Sequence, residues 1–224
     1  MELRFDDRAL LLGETLVLAD CHLGKGEANV ELPIGDTTDV IDRFEALLDA
    51  HSPETVVIAG DLLHSYSTIP ASIRDAIEAL ESTARSHDVD LVVIPGNHDV
   101  QLDAVWDGPT ESEYRIGDTV VLHGHESPET EAEQYVIGHD HPTIVIEGRR
   151  RPCYLVGENC FRGSDVVVLP AFNRLLAGVK INDMRAGEFM SPLITDVDAL
   201  SPIVLDGSGE TLAFPGLGDL RAHL

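Results

Sequence analysis

Apolar and polar positions change character about half-way along the chain. In the first half, short apolar runs alternate with helical patterns. Residues 2–5 and 9–12 read as two strands around an Asp6-Asp7 turn, and residues 15–19 read as a buried strand ending at Asp20. Over residues 37–50, Val40, Ile41, Phe44, Leu47 and Leu48 fall on one helical face, with Thr37 or Thr38 as N-cap. Residues 55–59 form the next predicted strand. Pro70 opens a second helix with Ile73, Ala76, Ile77 and Leu80 on its inner face, and residues 89–94 form a third buried strand. This β–α–β–α–β order predicts parallel strands joined by crossover helices.

The second half carries no long helical pattern. Short strands are predicted at 112–116, 119–123, 134–138, 143–147, 153–156 and 166–169, separated by Gly, Pro and Asp turns. They imply a second, mostly antiparallel sheet packed on the first. A last hairpin is expected from 203–205 and 211–214 across Asp206-Gly207-Ser208-Gly209. No internal repeat or linker divides the chain, so residues 1–224 are expected to form a single α/β domain.

The apolar runs end on chemistry. Five segments follow them in order: Asp20-Cys21-His22, Gly60-Asp61-Leu62-Leu63-His64, Gly96-Asn97-His98-Asp99, His123-Gly124-His125 and Gly138-His139-Asp140-His141. Each alone is weak: an Asp after Gly caps turns, an Asn suits a left-handed turn, and a His-x-His is as often a surface loop as a ligand pair. Together they supply carboxylate, amide and imidazole donors suited to divalent ions. In extended backbone, Asp20 and His22 point the same way, as do His139 and His141, while Cys21 points into the packing. By the same argument Asp140 is a solvated acid. Either His123 or His125 could be the donor of its segment, the other acting behind it. Asp99 is expected to cap a helix or brace its loop.

Charge changes the picture again. There are 40 acidic residues against 15 Lys and Arg, a formal net charge of −25, and only Lys25 and Lys180 are lysines. The acids are dispersed, so they are not a tail. Such a surface repels itself in ordinary salt and is relieved at molar salt, where the Debye length is about 3 Å. We therefore expect a salt-in halophile. No basic stripe marks a nucleic-acid footprint, although bound cations would supply local positive charge to a phosphodiester. The Arg149-Arg150-Arg151 run reads as an exposed turn, Lys25 as solvated, and His51 and His87 as helix-end cations. The N-terminus lacks the pattern of a leader, and no apolar run reaches the ~20 residues needed to span a bilayer. A cytoplasmic location is expected. Cys21, Cys153 and Cys160 suggest no disulfide framework.

The five segments resemble the calcineurin-like metallophosphoesterase superfamily, and the His closing Gly60–His64 is similar to its Mre11/SbcD-related branch. The string from Ala19 to Glu27, the nearby Leu32-Pro33-Ile34-Gly35 and the late Leu169-Pro170-Ala171-Phe172-Asn173 resemble small DNA-ligase-associated, or ICC-like, phosphoesterases. With the charge, the resemblance points to a haloarchaeal member. It implies two mixed β-sheets packed as a sandwich and flanked by helices. It also implies two divalent ions, with Mn the first choice and Fe, Zn or Co alternatives. By position, Asp20, His22 and His141 would hold one ion, Asn97, His123 and His139 the other, and Asp61 would bridge them. Asn97 and His98 would face the substrate, with His98 acting on the leaving oxygen and His64 orienting it. The implied activity is phosphodiester hydrolysis, of nucleotides or of nucleic acid in DNA repair, with a DNA ligase or helicase as possible associate. The alternatives are a phosphomonoesterase and a non-catalytic metal-binding subunit of a repair assembly.

Overall fold

The computed structural model describes residues 2–25, 36–64, 68–206 and 209–223. The Leu32–Gly35 string and Gly26-Glu27 therefore lie outside the described residues. The first half contains strands β1 (Arg4–Asp6), β2 (Ala9–Leu12), β3 (Thr15–Leu18), β4 (Thr55–Ala59) and β5 (Asp90–Ile94), with helices α1 (Asp36–His51) and α2 (Ala71–Ser86). They form a mixed sheet in the order β1-β2-β3-β4-β5, in which β3, β4 and β5 are parallel. The first turn falls at Asp7-Arg8, both at positive φ, one residue later than expected. Two residues at positive φ suit the tight hairpin.

The second half contains β6 (Tyr114–Ile116), β7 (Thr119–Val121), β8 (Gln134–Ile137), β9 (Pro142–Ile146), β10 (Arg149–Pro152), β11 (Tyr154–Phe161), β12 (Ser164–Val168), β13 (Val179–Lys180), β14 (Leu200–Leu205) and β15 (Thr211–Ala213). A short helix, α3 (Leu217–Leu220), follows. A seven-stranded sheet runs β15-β14-β11-β12-β8-β7-β6, and a small third sheet runs β10-β9-β13. The expected last hairpin is present as β14 and β15. The arginine run is not a turn: it is β10, paired antiparallel with β9. The turn lies one step earlier, at Glu147 and Gly148, both at positive φ.

Period-two alternation explains the layers. In β3 and β4, Leu16, Leu18, Val56 and Ile58 pack outward under α1 and α2, whereas Val17, Val57 and Ala59 face the second sheet. There they meet Val121, Val136, Tyr154 and Val167. Tyr135, Ile137, Val166 and Val168 point to the far side. Both faces of each central strand are buried, which is why these strands read as unbroken apolar runs. Two mixed sheets thus pack as a sandwich. The far side of the second sheet is covered by the irregular segment around Ile181–Val197 and by α3 rather than by long helices.

Candidate metal centre

The carboxyl ends of β3, β4 and β5 meet those of β7 and β8 at one edge of the sandwich. Asp20 and His22 follow β3, Asp61 follows β4, Asn97 and His98 follow β5, His123 follows β7, and His139 and His141 lie between β8 and β9. Loops beyond parallel strand ends are where open α/β sheets place their sites. Two glycines let the sheets close here. A side chain at Gly60, which lies at φ 86°, would overlap the His123 ring, and one at Gly138 would strike the Asp20 carboxylate.

The extended geometry expected for the paired donors is not what the chain adopts. Asp20, His22, Asp61, His139 and His141 all lie in the left-handed region, at φ 58°, 40°, 49°, 68° and 45°. The cause is visible in the backbone. Past the end of β3 the chain keeps bonding to the segment after β4, through Asp20 N–H to Gly60 O, His22 N–H to Asp61 O and Leu23 N–H to Leu62 O, at 2.8–3.1 Å. Left-handed residues let it curl over the sheet end while doing so. For non-glycine residues that conformation costs of order 1 kcal/mol or more each. Cys21 is buried in the helix-side core, as expected.

The donors converge. One ligand atom each from Asp20, His22, Asp61 and His141 lies within 4.8 Å of the others, and the same holds for His22, His64 and His98. His141 Nε2 stands 3.2 Å from Asp20 Oδ1. On the other side, His123 Nε2 lies 3.1 Å from Asn97 Oδ1, and the His123 and His139 rings are 4.9 Å apart. Asp61 sits between the groups, its Oδ2 3.4 Å from His22 Nε2 and 3.5 Å from His123 Nε2. Its other oxygen accepts the His98 N–H at 2.9 Å. The His64 and His98 rings lie nearly parallel, 6.1 Å apart, with His98 5.0 Å from His22. Of the two imidazoles in His123-Gly124-His125, His123 is the one beside Asn97 and Asp61, and His125 stands 5.0 Å behind it.

Electrostatics favours cations at this cluster. Burial pushes Asp61 up to about 7, opposed by the His98 N–H and reinforced by Asp20 and Asp99. Burial, opposed by Asp20 and reinforced by His141, takes His22 down to about 3. Burial and then His123 take His139 down to about 4. For Asp20, burial opposes ionisation but the nearby imidazoles, His141 first, outweigh it and its pKa falls. His22 is 2% exposed, and neither of its ring nitrogens makes a hydrogen bond. Neutral imidazoles with open lone pairs, beside a carboxylate reluctant to ionise, form a nest that fits cations. The donor set, the burial and the orphaned nitrogens all suit divalent ions.

Several supporting residues are less visible in the sequence. Asp99 is buried and accepts N–H groups from Leu62, Leu63 and Gly96, so it braces two donor loops rather than capping a helix. Asp140 is not solvated. It is 2% exposed, with both oxygens accepting backbone N–H groups from Met190 and Ser191. The late Phe172-Asn173 segment clasps the first donor loop: Phe172 N–H bonds Ala19 O, and Asn173 Nδ2 donates to Cys21 O and His22 O. Arg43, buried under that segment, donates to Phe172 O and Asp7 and lies 4.0 Å over the Phe172 ring. An arginine next to the apolar stripe of α1 gave no sequence signal. A cavity of about 300 Å³ opens beside His123 and His125, and Glu111, Glu113, Glu126 and Glu129 line it. No helix among the described residues is long and apolar enough to cross a membrane.

A family model described as calcineurin-like phosphoesterase matches residues 14–168. Among solved structures, the chain is similar to the crystal structure of the Pseudomonas putida nuclease MPE, with 25% identity over 93% of this chain and 92% of that one and a TM-score of 0.69. It also matches a protein of unknown function, AQ665 from Aquifex aeolicus, at 16% identity over 57% of this chain and 78% of that one, with a TM-score of 0.38. No curated protein matches.

Proposed function

The chain belongs to the calcineurin-like phosphoesterase family, and from that premise we propose that this metal-dependent phosphoesterase hydrolyses phosphodiester bonds across two divalent ions. Asp20, His22 and His141 would hold one ion, Asn97, His123 and His139 the other, and Asp61 would be shared. The whole chain, 1–224, acts as one domain in this reading. The observation that carries it is Asp61 Oδ2, which is nearly equidistant from a nitrogen of each group, at 3.4 and 3.5 Å. Ions bound there would supply Lewis acidity toward a phosphoryl oxygen and a lowered pKa for water near neutral pH.

The chain's own residues do the rest. The His98 N–H fixes one Asp61 oxygen, so the other points between the two groups. The His98 ring, half-buried beside His22, donates to the leaving oxygen and offsets the charge that develops there. His64, nearly parallel to it, orients the ester. Asn97 faces the same space from the second group. The mixed imidazole, carboxylate and amide set accommodates Mn, Fe, Zn or Co, and Mn is our choice.

The similarity to a nuclease favours a phosphodiester of a nucleic acid or nucleotide. The net charge of −25 and the glutamate-lined cavity favour a short or small diester over a long duplex tracked by its phosphates. A role in DNA repair beside a ligase or helicase rests on family resemblance alone and forms no part of the proposal. The test is turnover with Mn of bis-(p-nitrophenyl) phosphate, p-nitrophenyl phosphate, a 2′,3′-cyclic nucleotide and single-stranded DNA, alongside metal analysis. Faster diester turnover with two Mn per chain is expected. Faster monoester turnover replaces the diester reading with a phosphomonoesterase. Two bound Mn with no turnover of any ester points instead to a non-catalytic subunit.

A further inference from the structure

We propose that Asp140, a residue that faces away from the metal centre, is the positioning residue that sets both groups of donors relative to each other. Asp140 lies between His139 and His141, which serve different sides. The His139 ring is 4.9 Å from His123, whereas the His141 ring is 5.3 Å from His22 and its Nε2 is 3.2 Å from Asp20 Oδ1. One tripeptide therefore spans the whole centre, and its shape fixes the spacing of the two sides.

That shape is not the relaxed one. His139 and His141 are both left-handed, a conformation that persists only when the surroundings over-determine it. The side chain between them supplies the constraint. Asp140 Oδ1 accepts the Met190 N–H at 2.7 Å and Oδ2 the Ser191 N–H at 3.2 Å. The carboxylate and Ser191 are both buried, so losing this clamp leaves the Ser191 N–H without a partner. Ser191 is itself held, its Oγ accepting the Leu193 N–H at 3.3 Å. The tripeptide is also gripped at its ends, His139 N–H on Asp20 Oδ2 at 3.0 Å and Val179 N–H on His141 O at 2.9 Å. At its middle the Asp140 N–H bonds only locally, to Gly138 O at 2.8 Å, whereas the Asp140 carboxylate ties the middle to a distant segment that contributes no donor.

This rests on the two-ion reading above. The experiment is calorimetric titration of the apoprotein with Mn for wild type, Asp140→Ala, Asp140→Asn and Asp196→Ala. Removing a group that holds a ligand in place commonly costs about 10- to 100-fold in metal affinity. Asp140→Ala is expected to lose that much at both ions, with its circular dichroism unchanged. Asp140→Asn keeps one acceptor oxygen and should fall between Ala and wild type. Asp196 accepts two backbone N–H groups from Asp198 and Ala199, away from the donor loops, so Asp196→Ala should bind Mn like wild type. Wild-type Mn affinity in Asp140→Ala overturns the proposal, as does an equal loss in Asp196→Ala, which marks general loosening. If the alanine variant does not fold, the asparagine variant decides: weakened Mn binding supports the proposal and wild-type binding overturns it. A wild-type chain that takes up no Mn refutes the two-ion reading itself, a separate result.

Discussion

The two sides of the candidate metal centre are built differently. Asp20, His22 and His141 form a side with its own buried carboxylate, and its loop is clasped from behind by Phe172 and Asn173. Asn97, His123 and His139 offer only neutral donors, and the His123 ring is steered by the Ala59 carbonyl, 3.2 Å from its Nδ1. The second side contributes no carboxylate of its own: His123 Nε2 meets the shared Asp61, and the His139 N–H and His123 Nδ1 lean on Asp20 of the first side, at 3.0 and 3.8 Å. Attraction for a cation is therefore concentrated on one side, and the other borrows it. In the two-ion reading the carboxylate side fills first, and the amide side fills only while Asp61 is in place.

The harshest way to break this contrast is Asp61→Ala. It should remove the second ion outright and weaken the first. Lewis-acid assistance is worth several kcal/mol, so diester turnover should fall by about 10³-fold or more. Metal analysis gives the check. A stoichiometry of one in the wild type, unchanged by the substitution, would end the dinuclear reading. His98→Ala separates binding from chemistry, because the His98 hydrogen bond to Asp61 comes from its backbone N–H, which alanine retains. Both ions should stay, while kcat on an alkyl diester falls by about 10² to 10⁴. A nitrophenolate leaving group needs less help and should lose less. Loss of a metal in this variant would show that His98 belongs to one of the two sides.

Two further effects act on stability. The first is salt. With a formal net charge of −25 and its acidic residues dispersed along the chain, the thermal midpoint should rise by several degrees from dilute buffer to molar KCl, as screening removes self-repulsion. Equal midpoints by scanning calorimetry would dismiss the halophile proposal and leave the enzymology untouched. The smallest effect sharpens the contrast between the sides. Asp7 holds Arg43 and Arg174, and Arg43 in turn holds Phe172 behind the carboxylate side. Burial opposes its ionisation, but the hydrogen bonds and charges of Arg43 and then Arg174 outweigh it, so its pKa is lowered on folding. Its contribution is thus present above the unfolded carboxylate value of ~4 and lost as pH falls through the lower folded value. For a partly exposed pair this is worth at most about 1 kcal/mol, or ~2–4 °C in Tm. Asp7→Asn should cost that much at pH 7 and less at pH 3, which lies below the unfolded carboxylate value. An identical loss at both pH values would show that charge is not what Asp7 contributes.

How far the sequence could be read depended on which force shaped each segment. Thr55–Ala59 was predicted to the residue, because a strand buried on both faces leaves an uninterrupted apolar run. The donor types were legible because metal chemistry restricts them to a few side chains placed at strand ends. Arg149–Arg151 was misread, since an exposed edge strand needs no apolar pattern. Asp140 was misread for a different reason. Alternation holds only in extended backbone, and the left-handed His139 and His141 turn the intervening side chain inward. Asn173, which clasps Cys21, and Met190 and Ser191, which hold Asp140, lie 152, 50 and 51 residues away in sequence, and no local pattern announces them.

The Phe172–Asn173 clasp also has a consequence for biosynthesis. A ribosome delivers every proposed ligand by residue 141, yet the groups that hold the ligand loops arrive later, at 172–173 and 190–191. A nascent chain stalled between these points would display its imidazoles on strand ends without the grips that shape them. Correct assembly therefore awaits the synthesis of residues 172–191, and early capture of stray cations by the emerging chain would be loose and exchangeable.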